Sequence, residues 1–460
     1  MKYVDLFSGC GGLSLGVETS GADLVLAVEK SDQAARTFRH NLVADVSSDT
    51  SWQEYLEKSL EEQAADHVVV DEVQNLLNNA QVMSQLREEK IDFVVGGPPC
   101  QGFSLAGLRR PDDVRNQLPY QYLEFVERTR PKIVVIENVL GMGQSFSKGS
   151  DSSFAQLQVA LSQIGSGYEV QAVQADAVHY GAPQHRPRLL IVGLDKEIAH
   201  AKNISSSGSL WKSNYTDFLT AETPALAPKP TIAYHERRLV CDAVGDLLLQ
   251  SPPIRGANSY VEDLNTTFGS TIAPSSVSRL NGRSTNHVPR KHRDSTIKRF
   301  HIYQFLKEAG IAERLLRQIA DMTEEAAESY IDSELILNAT GVANAQTRGF
   351  LPGLSVAEIR DTIFESSTRK HSQKVLSWDE PARTVVTLPD DYVHPREPRV
   401  FTVRELARFQ GFPDSFEYLG PETTGAHRRR FEVPQYSQVG NAVSPWLGLA
   451  IGKMIAEALR

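Results

Sequence analysis

The chain reads as an α/β protein built on a mostly parallel sheet, and three observations predict it. Short apolar runs at residues 3–7, 23–28, 67–70, 91–95 and 133–136 alternate with stretches of helical character, as strands and helices do in a parallel sheet. Most of these runs end in glycine or in an acidic residue, which stops the strand and leaves a polar group at its carboxyl end. The first run passes directly into Ser8-Gly9-Cys10-Gly11-Gly12, a glycine-rich turn before a helix expected from Leu13 to Ser20.

The elements follow in order. Gly9 and Gly11 let the backbone approach a ligand, but Ser14 stands where a dinucleotide fingerprint wants its third glycine, which disfavours a nicotinamide cofactor. Glu29 closes the second strand, 20 residues after Gly9, where a carboxylate can accept hydrogen bonds from ribose hydroxyls. Together the turn and the acid suggest an adenosine-type cofactor. A charged helical stretch follows at residues 52–63, then the third strand, with Asp71 and Glu72 after it. Either acid is placed to reach an adenine amino group.

Residues 96–104 read Gly-Gly-Pro-Pro-Cys-Gln-Gly-Phe-Ser. Pro98 and Pro99 fix the backbone torsion and remove two amide donors, so the chain leaves the sheet as a rigid elbow. Cys100 then stands at the carboxyl end of a parallel strand, where open α/β sheets place ligands. Such an elbow is a poor place for an inert core thiol, and a nearby cation would make Cys100 a nucleophile. The loop of residues 105–118 carries Arg109, Arg110 and Arg115 and is suited to a phosphate backbone. A helix is expected from Tyr120 to Arg130, before Pro131. The strand at residues 133–136 ends in Glu137-Asn138-Val139, which puts a second carboxylate in the same crevice. Further strands are expected at residues 168–175 and 189–192. Before the latter, Gln184, Arg186 and Arg188 alternate and share one face of extended chain.

Composition bounds the rest. The 460 residues allow two domains, and no 18-residue apolar run is present to span a membrane. The chain enters a strand at once, which leaves no room for a signal peptide. Cys10, Cys100 and Cys241 make no disulfide framework and lack metal-ligand spacing, so a reducing cytoplasm is expected and no metal. A net charge of −9 leaves any nucleic-acid face to local patches. Between Arg279 and His301 lie seven arginines and lysines, Arg290, Lys291 and Arg293 among them, against the single Asp294.

These motifs, in this order, resemble those of the cytosine-C5 DNA methyltransferases of the bacterial restriction-modification type. The likeness rests on residues 5–12, 96–104, 137–139 and 184–188, on the segment from Arg399 through Gln410-Gly411-Phe412-Pro413, and on residues 438–443. It implies a Rossmann-like, S-adenosylmethionine-dependent methyltransferase fold with a mostly parallel sheet, plus a smaller target-recognition domain. By this likeness residues 1–198 form the catalytic domain, 199–431 the recognition domain, and 432–460 a C-terminal segment that returns to the catalytic domain. Phe7, Ser8, Gly9, Gly11, Gly12, Glu29, Asp71 or Glu72, Pro99, Asn441 and Ala442 would bind the cofactor, S-adenosylmethionine. Cys100 would add to cytosine C6, Glu137 would hold N3, and Arg186 and Arg188 would steady that glutamate and the nucleotide. Gln101, Ser104, Arg109, Arg290, Lys291 and Arg293 would face DNA.

The implied reaction is sequence-specific methylation of a flipped-out cytosine by a monomer, with a cognate restriction endonuclease as a possible companion on the same site. Two other readings share part of the pattern. A tRNA cytosine methyltransferase would carry a Cys-Phe-Thr signature, whereas Cys241 is followed by Asp242-Ala243. A silent DNA-binding homologue would have lost Cys100, Glu137 or the cofactor loop, and all three are present.

Overall fold

The computed structural model describes residues 1–99, 117–143, 152–250, 258–273, 285–370, 373–425, 428 and 432–460. Cys100, Gln101, Ser104, Arg109 and the rest of the 105–116 loop therefore lie outside the described residues, as do Arg279 and Arg283.

Eight strands form one sheet: β1 Lys2–Leu6, β2 Asp23–Val28, β3 Val68–Val69, β4 Phe93–Gly96, β5 Ile133–Val139, β6 Tyr168–Asp176, β7 Pro187–Asp195 and β8 Trp211–Lys212. Their spatial order is β3-β2-β1-β4-β5-β7-β6-β8. The first five are mutually parallel, while β7 runs antiparallel between β5 and β6. Because β1 has β2 on one side and β4 on the other, the chain reverses its direction of winding there. The crevice at that reversal is where open sheets of this kind bind ligands.

The strands are apolar on both faces, which is why they read as runs rather than as alternating patterns. Tyr3, Phe93, Val95, Ile133, Val135, Leu190 and Val192 enter one core. Val4, Leu6, Val94, Val134, Ile136, Leu189 and Ile191 enter the other. Each such side chain, once fully buried, contributes on the order of 1.5–3 kcal/mol.

The expected helices form with shifted limits. The first spans Gly12–Thr19 and the pre-proline helix Leu118–Thr129, ending at Arg130 in a left-handed turn (φ 53°). The single charged helix expected at residues 52–63 is two helices, Asp49–Leu56 and Leu60–Ala65. Ser59 breaks it: its hydroxyl caps the Glu62 amide while the Glu62 side chain returns to the Ser59 amide. This reciprocal pair makes Ser59 a helix start.

The C-terminal helix Pro445–Leu459 lies against the first helix, backbone to backbone. A Cβ on Gly16 would stand 2.4 Å from the Leu449 nitrogen and the Pro445 oxygen. One on Gly448 would stand 2.8 Å from the Leu13 oxygen. The C-terminal helix thus packs on the helix that follows the glycine-rich turn.

The interval 199–431 divides between two cores. Leu226, Val240, Tyr260 and Phe268 join Phe401, Leu406, Phe409 and Phe412 in the core that holds Tyr3 and Phe93. A separate core gathers Phe300, Tyr303, Leu306, Leu316, Ile331, Ile359, Val375 and Val393. Between them lies a buried polar knot. Arg399 grips Glu405 with two hydrogen bonds of 2.8 Å and donates to Glu397 through Nε at 2.7 Å. Thr402 caps the helix Val403–Gln410 and Glu405 completes the box. Losing one partner of such a buried, paired charge costs about 3–5 kcal/mol.

Candidate active site at the carboxyl edge of the sheet

Five parallel strands deliver Phe7, Glu29, Val70 and Asp71, Gly97 and Asn138 to one edge of the sheet. β7 begins at the same edge because it runs the other way, with Arg188 paired against Val139.

Glu137 faces Leu190 across the β5–β7 ladder, and Arg188 stands two residues before Leu190 on the same face. The diagonal brings Arg188 Nε to 2.7 Å from Glu137 Oε1, with both side chains about nine-tenths buried. Oε2 of Glu137 is turned toward the β4 elbow, since a Cβ on Gly97 would lie 2.7 Å from it. Gly97 is therefore required by contact with Glu137. Asn138 fastens the same elbow, its amide donating to the Pro98 carbonyl at 2.8 Å. Pro98 is buried and Pro99 exposed.

Arg186 does something different from its expected part. Its guanidinium is fully buried and donates to the carbonyls of Val385 (3.0 Å) and Gly440 (2.7 Å), not to Glu137. Gln184 is likewise buried, donating to the Phe409 carbonyl at 3.0 Å and accepting from the Val385 amide at 2.9 Å. These two residues tie β7 to the C-terminal motifs, and Arg188 alone of the alternating three reaches the carboxylate.

The glycine-rich turn is built for close approach. Phe7 adopts a left-handed conformation (φ 60°), costly for a non-glycine residue and a mark of a functional turn. The Ser8 amide donates to the Val28 carbonyl at 3.1 Å, while its buried hydroxyl has no partner among the described residues. Glu29 accepts from the Gly9 amide at 2.9 Å and the Ser31 amide at 2.7 Å, and burial pushes its pKa up from the usual carboxylate value. Beside Gly9 the space is open: nothing lies within 4 Å of where its Cβ would be. Gly11 and Gly12 answer to packing. A Cβ there would strike Leu42 and Phe38, or the Val443 carbonyl. An unpartnered hydroxyl, an amide-capped carboxylate and open space at Gly9 suit a small polar ligand with hydroxyl groups.

The two candidate adenine acids part company. Asp71 accepts from the Asn75 side chain at 2.7 Å and from the Glu72 amide, whereas Glu72 is exposed and paired with Lys30. Asn441 is exposed at the end of the helix Gln435–Asn441, and Ala442 beside it is buried. Cys10 packs inside the turn with Sγ 3.7 Å from the Gln438 carbonyl, and burial pushes its thiol up to about 12. It is a core thiol and no nucleophile. Among the described residues no His, Cys, Asp and Glu cluster could hold a metal ion.

In the basic stretch Arg290 binds Asp390 at 2.8 Å, while Lys291 and Arg293 are exposed. The composition signal missed the fully buried Arg404 and Arg408. Arg408 reaches Asp246 and Asp414, and Arg404 reaches the carbonyls of Pro413 and Phe416, so both brace the core. No single helix among the described residues is long and apolar enough to cross a membrane.

Comparison with known proteins agrees with this geometry. The chain is similar along its whole length to the type II methyltransferase M.AgeI of Thalassovita gelatinovora, at 28% identity with all of both chains covered. It is 28% identical to the type II methyltransferase M.DdeI of Desulfomicrobium norvegicum over 99% of this chain and 88% of that one. In fold it matches a crystal structure described as a prophage-encoded DNA modification methyltransferase of E. coli, with a TM-score of 0.60, 21% identity, and 100% and 99% of the two chains covered. The family of C-5 cytosine-specific DNA methylases matches residues 1–457. The chain belongs to that family and is a DNA (cytosine-5)-methyltransferase.

Proposed function

We propose that this enzyme transfers a methyl group from S-adenosylmethionine to C5 of a cytosine flipped out of double-stranded DNA, at one short recurring sequence, through a Cys100–C6 adduct. The observation that carries the reading is Glu137, held by Arg188 with its second oxygen facing the elbow that leads to Cys100.

Cytosine C5 is a poor nucleophile while the ring is aromatic. Addition of the Cys100 thiolate to C6 moves the C5–C6 electron pair toward C5 and gives it enamine character. Glu137 holds N3 and stabilises the charge that the addition sends into the ring. C5 then forms its new carbon–carbon bond, loses its proton, and the returning pair expels Cys100 as thiolate. A base inside a duplex cannot be reached in this way, hence the flipping. S-adenosylmethionine, when bound, would supply an electrophilic methyl group, the pair of its methyl–sulfur bond staying on sulfur as the sulfonium becomes a thioether. Glu29 would hold its ribose, Asp71 or Glu72 its adenine, and Phe7, Ser8, Gly9, Pro99, Asn441 and Ala442 would wall it.

Residues 1–198 and 432–460 would then form the catalytic body, with DNA recognition within 199–431. Arg290, Lys291 and Arg293 would approach DNA together with Gln101, Ser104 and Arg109. The enzyme would act as a cytoplasmic monomer, with a restriction endonuclease of the same specificity as partner.

The test is transfer of tritium from labelled S-adenosylmethionine to plasmid DNA and, in parallel, to bulk tRNA, followed by nucleoside analysis and sequencing. Label in 5-methylcytosine of DNA at one recurring sequence is expected. Label confined to tRNA, or none in either, overturns the proposal.

A further inference from the structure

The second core carries a pocket that the reaction does not use. A cavity of about 170 Å³ is lined by Tyr303, Arg314, Arg317, Lys370, Lys374 and Gln373, with Glu313 beside them. Four cations and one carboxylate line it. That carboxylate is partly engaged, accepting from the Val375 amide at 3.3 Å. Arg314, Arg317 and Lys374 make no ion pair among the described residues, and all three are exposed.

Gln373 is the second and independent observation. Its side chain is only 5% exposed, yet among the described residues neither Nε2 nor Oε1 has a hydrogen-bond partner. A buried amide with both ends unmade is costly, and such groups in native proteins await a ligand or solvent. The cavity exceeds the space of several waters and suits a tetrahedral anion with its ester oxygens.

The pocket continues into the basic stretch. Asp390 takes Arg290 at 2.8 Å on one oxygen and Lys370 at 3.6 Å on the other. A band of positive charge therefore runs from Arg290, Lys291 and Arg293 to the cavity. Phosphodiester groups along a duplex are the anions that a band, as opposed to a single pocket, recognises. We infer that Gln373, Arg314, Arg317, Lys370 and Lys374 seat a backbone phosphate of the DNA substrate. The Gln373 amide and the guanidiniums donate to its oxygens. This rests on the DNA methylation reading and extends it to a site outside the target-base crevice.

Two variants test it on the full chain, Arg314→Ala/Arg317→Ala and Gln373→Leu, with duplex binding followed by anisotropy over a salt series. Methyl transfer to plasmid DNA is measured alongside. The double variant is expected to weaken duplex binding and flatten the log–log salt slope by about 0.9 for each phosphate no longer neutralised. The KM for DNA should rise several-fold with kcat kept. Gln373→Leu should raise the KM for DNA about two- to five-fold while Tm holds or rises, since it removes an unmade buried amide. Duplex affinity and slope unchanged in the double variant would overturn the inference. So would a Gln373→Leu protein of lower Tm with an unaltered KM. Inorganic phosphate is the second arm, by calorimetry. Phosphate binding abolished in the double variant with duplex binding intact would assign the pocket to a free anion and overturn it too. Wild-type transfer to plasmid DNA separates the two levels: if it is absent the methylation reading fails, and if it is present only the phosphate seat is at stake.

Discussion

Arg188 holds Glu137 at 2.7 Å across the β5–β7 ladder, and the register of two antiparallel strands sets that distance. A slip of one residue would turn Arg188 to the opposite face and leave the carboxylate without its cation. Glu137→Gln is expected to lower kcat by about 10²–10⁴-fold, the usual share of a positioned acid or base. Arg188→Lys should recover only part of the loss in Arg188→Ala, because an ammonium lacks the planar fork of donors. Steady-state transfer with S-adenosylmethionine affinity measured separately checks both. A Glu137→Gln enzyme with normal kcat would remove Glu137 from the chemistry.

Two cysteines lie in the motifs at the crevice, and the structure places one of them, Cys10, in the core. Cys100→Ser should abolish turnover while S-adenosylmethionine affinity stays within a few-fold. Cys10→Ser should leave turnover within a few-fold, because its buried thiol is pushed up to about 12 and is not a thiolate at neutral pH. Single-turnover assays on the pair, with cofactor binding by calorimetry, distinguish them. Lost cofactor binding in Cys100→Ser would mean the thiol lies in the wrong crevice.

The strands and their acidic or glycine ends were legible because a strand buried on both faces leaves an unbroken apolar run. Glu29 and Glu137 could be read from position alone for the same reason: both are the first polar residue after such a run. Arg186 could not. In extended chain it is indistinguishable from Arg188, and only the arrival of Val385 and Gly440, 199 and 254 residues later, turns it into a brace. The separate core of Phe300 to Val393 was equally hidden, because the basic stretch before it dominates the composition while its helices carry the apolar residues. Ser59 was missed for a local reason. A capping box breaks a helix without the proline or glycine that usually announces a break.

The cofactor turn depends on two helices that touch through glycine. Gly16→Ala would drive a methyl group to 2.4 Å from backbone atoms of the C-terminal helix, which cannot move aside as a side chain can. Overpacking of this kind costs about 1–3 kcal/mol. The variant should lose several degrees of Tm, and its S-adenosylmethionine affinity should fall with it, since the first helix carries the turn from Ser8 to Gly12. Gly21→Ala is the control: nothing lies within 4 Å of its Cβ position, so only its left-handed backbone (φ 92°) is penalised and cofactor affinity should hold. Equal effects of the two on cofactor binding would detach the helix packing from the site.

Asp5, inside β1, gives the fold a pH dependence whose sign can be worked out. Burial raises its pKa to about 8, and the Ser14 hydroxyl donates to Oδ2 at 2.6 Å. Unfolded, the same group titrates near ~3.9. Below about pH 4 it is protonated in both states and its contribution is fully present. Between about pH 4 and 8 the unfolded chain ionises and the folded one does not, so stability falls as pH rises. Above about pH 8 both are ionised and the loss stops growing. Asp5→Asn keeps a neutral polar group of the same shape and removes this titration. Its Tm should therefore gain on the wild type by several degrees between pH 5 and pH 8.5, a difference on the order of a few kcal/mol. Glu18, raised by burial to about 7, acts with the same sign in both proteins and cancels from the difference. Thermal unfolding of the two across that range decides the matter, and parallel curves would show that Asp5 is already ionised in the folded sheet.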